Sequence, residues 1–313
     1  MSAPVPVAEI VRSGFVEGRH HGSVVALDPD GSVAWSVGSV EEPVLPRSCN
    51  KPLQAVAMVE LGLDLPGRLL ALASASHSGE PFHLDGVREM LALGDLDESA
   101  LQCPEDWPLV DAVRDELVRS GGARSRLAMN CSGKHAAMLL TCRANGWDLD
   151  SYLSPEHPVQ AAILERFAQL TGEPVGTVAI DGCGAPLLAT SLTGLARAFQ
   201  RLALATTGAE RRVADAIRSH PAYVSGSTRD ELALLTALPG AIGKAGAEAV
   251  YAVALPDGRS FALKIDDGGT RARPVVMAAA LRRAGIRSDA VDATGRHILT
   301  GGGQPVGEIR ALL

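Results

Sequence analysis

Two β-rich runs near opposite ends of the chain limit what it can fold into. Residues 22–38 form two apolar, β-branched segments around Asp28-Pro29-Asp30-Gly31, and residues 249–268 repeat the arrangement around Pro256-Asp257-Gly258. Each is expected to be a hairpin, because the Pro-Asp-Gly signal supplies both the preset φ and the glycine that a tight turn needs. Between them helical periodicity dominates, at residues 51–61, 82–93, 109–119, 134–145, 158–170, 194–204 and 211–219. Residues 274–284 predict one more helix that stops at Gly285, residues 306–313 a last strand or a tail, and Gly301-Gly302-Gly303 a turn. Strands roughly 200 residues apart that share one core pair most simply in a single antiparallel sheet with the intervening helices packed on it. The expected fold is therefore α+β, a single domain over 1–313. Its sheet is drawn from about 1–46 and 249–313 and its helical middle from about 47–248, which argues against a doubly wound parallel sheet.

Composition narrows the partners. Hydrophobic residues make up 46% of 313, enough for a large core without staples. The 29 Lys and Arg against 36 Asp and Glu leave a net charge of −7, which opposes attraction to phosphate backbones and anionic lipid, so neither nucleic acid nor membrane is an expected partner. No apolar run is long enough to span a bilayer, and Glu9 and Arg12 interrupt the stretch where an export signal would lie, so a cytoplasmic location is expected. The five cysteines are odd in number and scattered, which favours reduced thiols over a disulfide scaffold.

Five short segments carry chemistry. In Arg47-Ser48-Cys49-Asn50-Lys51-Pro52 the proline fits only the first turn of a helix, so the helix starts near residues 48–50. Ser48 and Lys51, three apart, then share a face. A serine becomes a nucleophile when a base takes its proton, and a neutral lysine can be that base; the plainer reading is a capping serine and a surface lysine. Residues 73–83 hold three serines, two histidines and Glu80 in one connection, where Ser76 or Ser78 could cap the next helix as well as act chemically. Asn130-Cys131-Ser132-Gly133-Lys134-His135 and Asp181-Gly182-Cys183 place thiols that are either buried apolar groups or zinc ligands. Residue type alone favours His135 over Lys134 as a third ligand. Lys264 sits opposite Phe261, Leu263 and Ile265 in the outgoing strand of the second hairpin, so it faces solvent unless helices cover both faces of the sheet.

Taken in order, R-S-x-x-K-P from Arg47, A-S-H-S-G-E-P-x-H from Ala75, N-C-S-G-K-H from Asn130, D-G-C-x-x-P from Asp181 and L-K-I-D-D-G from Leu263 resemble the L-asparaginase II family, the inducible Rhizobium-type asparaginases. The resemblance implies a fold like that of serine β-lactamases and penicillin-binding proteins, and hydrolysis of L-asparagine to L-aspartate and ammonia. It implies two Ser-Lys pairs, Ser48 with Lys51 and Ser76 with Lys264, and a zinc site of Cys131, Lys134 and Cys183 with water. Lys134 thereby displaces His135, which is kept as a neighbour of the ligands. Arg47, His77, Glu80 and Asp181 are read as substrate-binding, and a homodimer is expected. The alternatives are a glutaminase or another Ser-Lys amidohydrolase, such as a penicillin-recognising hydrolase, and a non-catalytic, zinc-stabilised binding protein of the same fold.

Overall fold

The structure, a computed structural model, describes residues 5–313; residues 1–4 of the expected sheet and domain lie outside them. Along the chain run β1 (Pro6–Arg12), β2 (Phe15–Leu27), β3 (Val33–Val37), a 3-10 turn (Arg47–Asn50), α1 (Lys51–Glu60), α2 (Gly67–Ala73), α3 (Pro81–Leu93), α4 (Asp111–Arg119), α5 (Ser132–Asn145) and α6 (Pro158–Thr171). There follow β4 (Val178–Ile180), β5 (Pro186–Leu188), α7 (Leu192–Leu204), α8 (Gly208–Ser219), α9 (Pro221–Val224), α10 (Asp230–Ala237), β6 (Ile242–Ala245), β7 (Val250–Ala254), β8 (Ser260–Ile265), α11 (Ala272–Arg283), α12 (Asp289–Thr294), β9 (Ile298–Gly301) and β10 (Gln304–Ala311). These elements form two compact units. One holds the chain up to Cys49 with Thr190–Leu204 and Ala233–Leu313; the other holds Asn50–Ala189 and Ala205–Leu232.

The first unit is built on an antiparallel sheet of order β6-β7-β8-β2-β1-β10-β9, with β3 also paired to β2. The two expected hairpins are β2-β3 and β7-β8. In the first turn Asp28 donates its N–H to Ser32 O and Gly31 takes φ +84°, a left-handed conformation that glycine adopts without strain. Strands from the two chain ends meet where β2 pairs β8 and β1 pairs β10, in registers such as Val24 with Leu263 and Ile10 with Ile309. Helices α7 and α11 both pack on β8, and Phe261, Ala262, Leu263 and Ile265 are all buried. Successive strand residues point to opposite faces, so both faces of β8 are covered. Lys264 is accordingly half-buried and not open to solvent, the outcome reserved above for a sheet covered on both sides.

The second unit is helical. Helix α1 packs on α6 and α8, α2 on α8 and α5, and α3 on α5, around Leu53, Val56, Leu69, Leu72, Met90 and Leu139. Pro52 stands in the first turn of α1, as its missing N–H requires. Gly133 of α5 lies against α2 so closely that a Cβ there would come within 2.6 Å of Leu72 O.

Several elements went beyond the expectation. β1, β6 and β9 join the sheet although their sequences carry no turn signal of the Pro-Asp-Gly kind, so β6 and α7 belong to the sheet unit and not to a helical middle. Helices α2, α9 and α10 span 7, 4 and 8 residues, too few turns for a periodic pattern to stand out.

Candidate functional site

Within the sheet unit, Ser48 lies in the 3-10 turn and is buried. The β6-β7 hairpin braces it from the same unit. Cys49 donates its S–H to Lys244 O at 2.9 Å, and a Cβ on Gly246 would lie 2.6 Å from Pro46 O and 3.3 Å from Ser48 N. Arg47, Glu248 and Ala249 take φ of 51°, 56° and 53°, and Arg47 pairs with Glu248 at 3.8 Å. Three non-glycine residues in left-handed backbone around one serine are a strained arrangement of the kind found at functional sites. Arg47, read from sequence as substrate-binding, here holds an ion pair with that hairpin. Lys264 donates to Ile265 O at 2.6 Å; burial, only partly offset by Asp266, Glu248 and Asp267, pulls its pKa below the ordinary lysine value. Lys244, also in this unit, is fully buried and donates to Ala245 O at 2.6 Å. It carried no motif in the sequence.

Within the helical unit, Lys51 is fully buried at the start of α1. Its Nζ donates to Ala75 O at 2.5 Å and to Ser76 Oγ at 3.0 Å. The hydroxyl that Lys51 reaches inside its own unit is therefore that of Ser76, which the resemblance had assigned to Lys264. Arg229 donates to Ser76 O at 2.6 Å and pairs with buried Glu231 at 2.5 Å. Neither was singled out from sequence, because Arg-Asp-Glu at the start of a helix reads as an ordinary charged first turn.

His77 is buried, and its Nε2 lies 2.8 Å from Ser132 Oγ. Because Ser132 donates to Leu127 O, its oxygen accepts from His77, which places the ring proton on Nε2. Burial, with His83, Lys51 and Arg229 nearby, holds His77 well below the ordinary histidine pKa and neutral. Glu80 has both carboxylate oxygens engaged: Ser78 Oγ and Ser227 N–H donate to Oε2, and Ser227 Oγ donates to Oε1. It secures the 225–228 loop. The serines do not cap α3 through their side chains; Glu80 occupies the cap position with extended backbone, and Pro81 opens the helix.

His83 carries a pH prediction. Its Nε2 lies 3.0 Å from Ala222 O, and burial pulls its pKa from 6.5 to about 4. Since the folded value is the lower one, the neutral ring contributes its full stability above pH 6.5. That contribution falls between pH 6.5 and about 4 and is gone below, amounting to about 3 kcal/mol. Urea unfolding at pH 7.5 and 4.5 should show a smaller drop in midpoint for His83→Gln than for the unmodified protein; equal drops would remove His83 as a source of acid sensitivity.

The third cluster is also within the helical unit. Cys131 precedes α5, Lys134 lies in its first turn, and the tight turn between β4 and β5 presents Asp181 and Cys183. Sulfur atoms of Cys131 and Cys183 and a carboxylate oxygen of Asp181 lie within 4.8 Å of one another, and Lys134 Nζ is 3.0 Å from Cys183 Sγ. All five cysteines are buried, and among the described residues none is in a disulfide. Burial alone would lower the Lys134 pKa, but Cys183, Cys131 and Asp181 outweigh it and raise it. The proton that Cys131 keeps and shares with Cys183, together with Lys134, holds the Cys183 sulfur as thiolate. Two thiols, an amine and a carboxylate gathered in the interior form a donor set suited to zinc. Asp181, read from sequence as substrate-binding, stands with the thiols.

Residues 8–311 match the L-asparaginase II family. The chain belongs to that family. Membership makes it a hydrolase of a small molecule, and the five sequence blocks all fall inside the matched span. No curated protein matches the chain. Among solved structures, a β-lactamase from Mycobacterium bovis is 18% identical, with 84% of this chain and 94% of that one covered at a TM-score of 0.46. A hydrolase with promiscuous acyltransferase activity is 16% identical, with 88% and 93% covered at 0.42. A simvastatin synthase from Aspergillus terreus is 12% identical, with 78% and 86% covered at 0.39. At these identities and scores the likenesses carry no argument about activity. No helix among the described residues is long and apolar enough to cross a membrane.

Proposed function

We propose that this member of the L-asparaginase II family hydrolyses the side-chain amide of L-asparagine to L-aspartate and ammonia by a Ser-Lys mechanism. The observation that carries the reading is the fully buried Lys51 amine, 3.0 Å from the Ser76 hydroxyl. A structural lysine gains little from such burial, whereas a lysine base needs a hydroxyl relay and shelter from water. Ser48 attacks the amide carbon and Lys51 takes its proton. Collapse of the adduct forms the Ser48 ester and breaks the C–N bond, and the proton passes through Ser76 to the leaving nitrogen, which departs as ammonia. Water then cleaves the ester with the same groups, restoring Ser48. Lys264, half-buried in the sheet unit, is assigned as the second lysine of the relay.

Zinc belongs to the same proposal, held by Cys131, Lys134 and Cys183. When bound, the ion supplies a fixed positive charge able to orient an anionic or amide oxygen. His77 and Asp181 are proposed to orient the substrate, with Arg47 and Glu80 supporting the segments on which Ser48 and Ser76 stand. A cytoplasmic homodimer, acting on neither nucleic acid nor membrane, completes the reading.

Ammonia release measured with L-asparagine, L-glutamine and a chromogenic β-lactam tests it. Turnover should be highest with asparagine. A preference for glutamine or cleavage of the β-lactam would move the chain to another Ser-Lys amidohydrolase activity, and no turnover of any of the three would leave only a binding protein.

A further inference from the structure

We propose that His20 is a positioning residue for the reaction: it holds the Asp267 carboxylate out of an ion pair with Lys264 and leaves that amine available for proton transfer; this rests on the reading of Lys264 given above. The contact lies where the chain leaves the sheet. Lys264 is paired with Ser23 of β2, and just past the end of β8 the Asp266 N–H donates to His21 O at 2.8 Å. His20, its neighbour in β2, is buried, and its Nδ1 lies 2.5 Å from Asp267 Oδ2. At the other ring nitrogen, Arg271 Nε donates to His20 Nε2 at 3.3 Å. A guanidinium only donates, so Nε2 accepts and the ring proton sits on Nδ1, where it is given to the carboxylate. Gly269 N–H donates to Asp267 Oδ1 at 2.7 Å, so both carboxylate oxygens are engaged.

Lys264 has close competitors for its proton chemistry. Asp266, Glu248 and Asp267 lie near enough to favour its charged form, and an ion pair with any of them would hold it as an ammonium ion, which has no lone pair to accept a proton. Among the described residues none forms that pair: the Lys264 amine donates to Ile265 O instead. Glu248 is drawn to Arg47, and Asp267 to His20. Glu248 also packs on the same segment, since a Cβ on Gly268 would collide with its Oε2. Burial works against the Asp267 carboxylate, yet Gly269 N–H, His20 and Arg271 hold it below the usual carboxylate range. It is therefore a charged competitor at neutral pH, restrained by the ring. Asp267 and Arg271 touch that ring, and His297 is a further titratable group near it.

Competitive acetylation of Lys264 with acetic anhydride, read by mass spectrometry across pH, reports the uncharged amine without using turnover. In His20→Phe the carboxylate is released to pair with Lys264, and the acetylation midpoint should rise by about 1 pH unit or more. The ascending limb of kcat for L-asparagine should move up with it, leaving about 10-fold less turnover at a given pH on that limb. His20→Asn sets a side-chain N–H near where the Nδ1 proton was and should match the unmodified chain in both readouts. Adding Asp267→Asn to His20→Phe removes the competing charge and should cancel the rise. His20→Ala makes the same removal with no ring to misplace, so the test holds even where His20→Phe fails to fold. An unchanged Lys264 midpoint in the folded His20 variant overturns the proposal whatever the turnover, and so does a raised midpoint with an unmoved kcat profile. An unmodified chain that releases no ammonia from asparagine overturns the reaction and with it the purpose of this contact, a result on which the acetylation midpoint does not depend.

Discussion

Replacing Lys51 by methionine should lower ammonia release from L-asparagine by about 10²- to 10⁴-fold, the usual worth of a positioned base, with little change in KM. Ser48→Ala should lose at least as much, since it removes the atom that forms the ester. The two changes should not add: once the nucleophile is gone, the base has no proton to take, so the double variant should match Ser48→Ala. Methionine keeps the apolar stem of Lys51 in its buried setting, while the hydrogen bonds to Ala75 O and Ser76 Oγ are lost. Far-ultraviolet dichroism and urea unfolding should therefore remain close to the unmodified protein. Lys51→Met retaining near-normal turnover would remove this amine from the chemistry, and with it the mechanism.

The largest expected effect on stability is at Gly133. A Cβ added there would lie 2.6 Å from Leu72 O and 2.9 Å from Leu72 Cγ, and the first of these is backbone of α2, which cannot rotate away. Gly133→Val must push α5 from α2, at a cost of about 3 kcal/mol or more, as overpacking does in a dense core. Lys134 stands next to it and Cys131 just before it, so the shift also spreads the thiol and amine cluster. Urea unfolding should show a clear fall in midpoint, together with lower zinc uptake by the still-folded protein. A midpoint equal to that of the unmodified chain would overturn this account of the packing between α2 and α5.

The glycine illustrates what local pattern does not reveal. N-C-S-G-K-H is visible as a block in the sequence, and its thiol and amine suggest a ligand set. Nothing local says that the glycine in the middle is there because another helix backbone passes over it. Glu80 shows the same gap: it stood out as a carboxylate among serines, and a substrate role was natural, yet both its oxygens are engaged by Ser78 and Ser227. Ser227 is 147 residues away, and no spacing rule reaches that far. Arg229 and Glu231 were overlooked for the converse reason. Their pairing with each other and with Ser76 O takes on meaning only when the 225–228 loop is folded against the Ser76 segment.

What the sequence determined by itself was everything set over a few residues. This includes the two Pro-Asp-Gly hairpins, the start of α1 at Pro52, the longer amphipathic helices and the ordered blocks that mark the family. Turn chemistry, prolines and periodicity act within one or two turns of chain, so they can be read without a fold. The tertiary structure alone decided that β1 and β10 pair, that Lys264 is half-buried, that Lys51 reaches the Ser76 hydroxyl and that Asp181 joins the thiols. Each of these depends on groups distant in the chain, whose meeting is selected by the burial of the whole core and not by any segment of it.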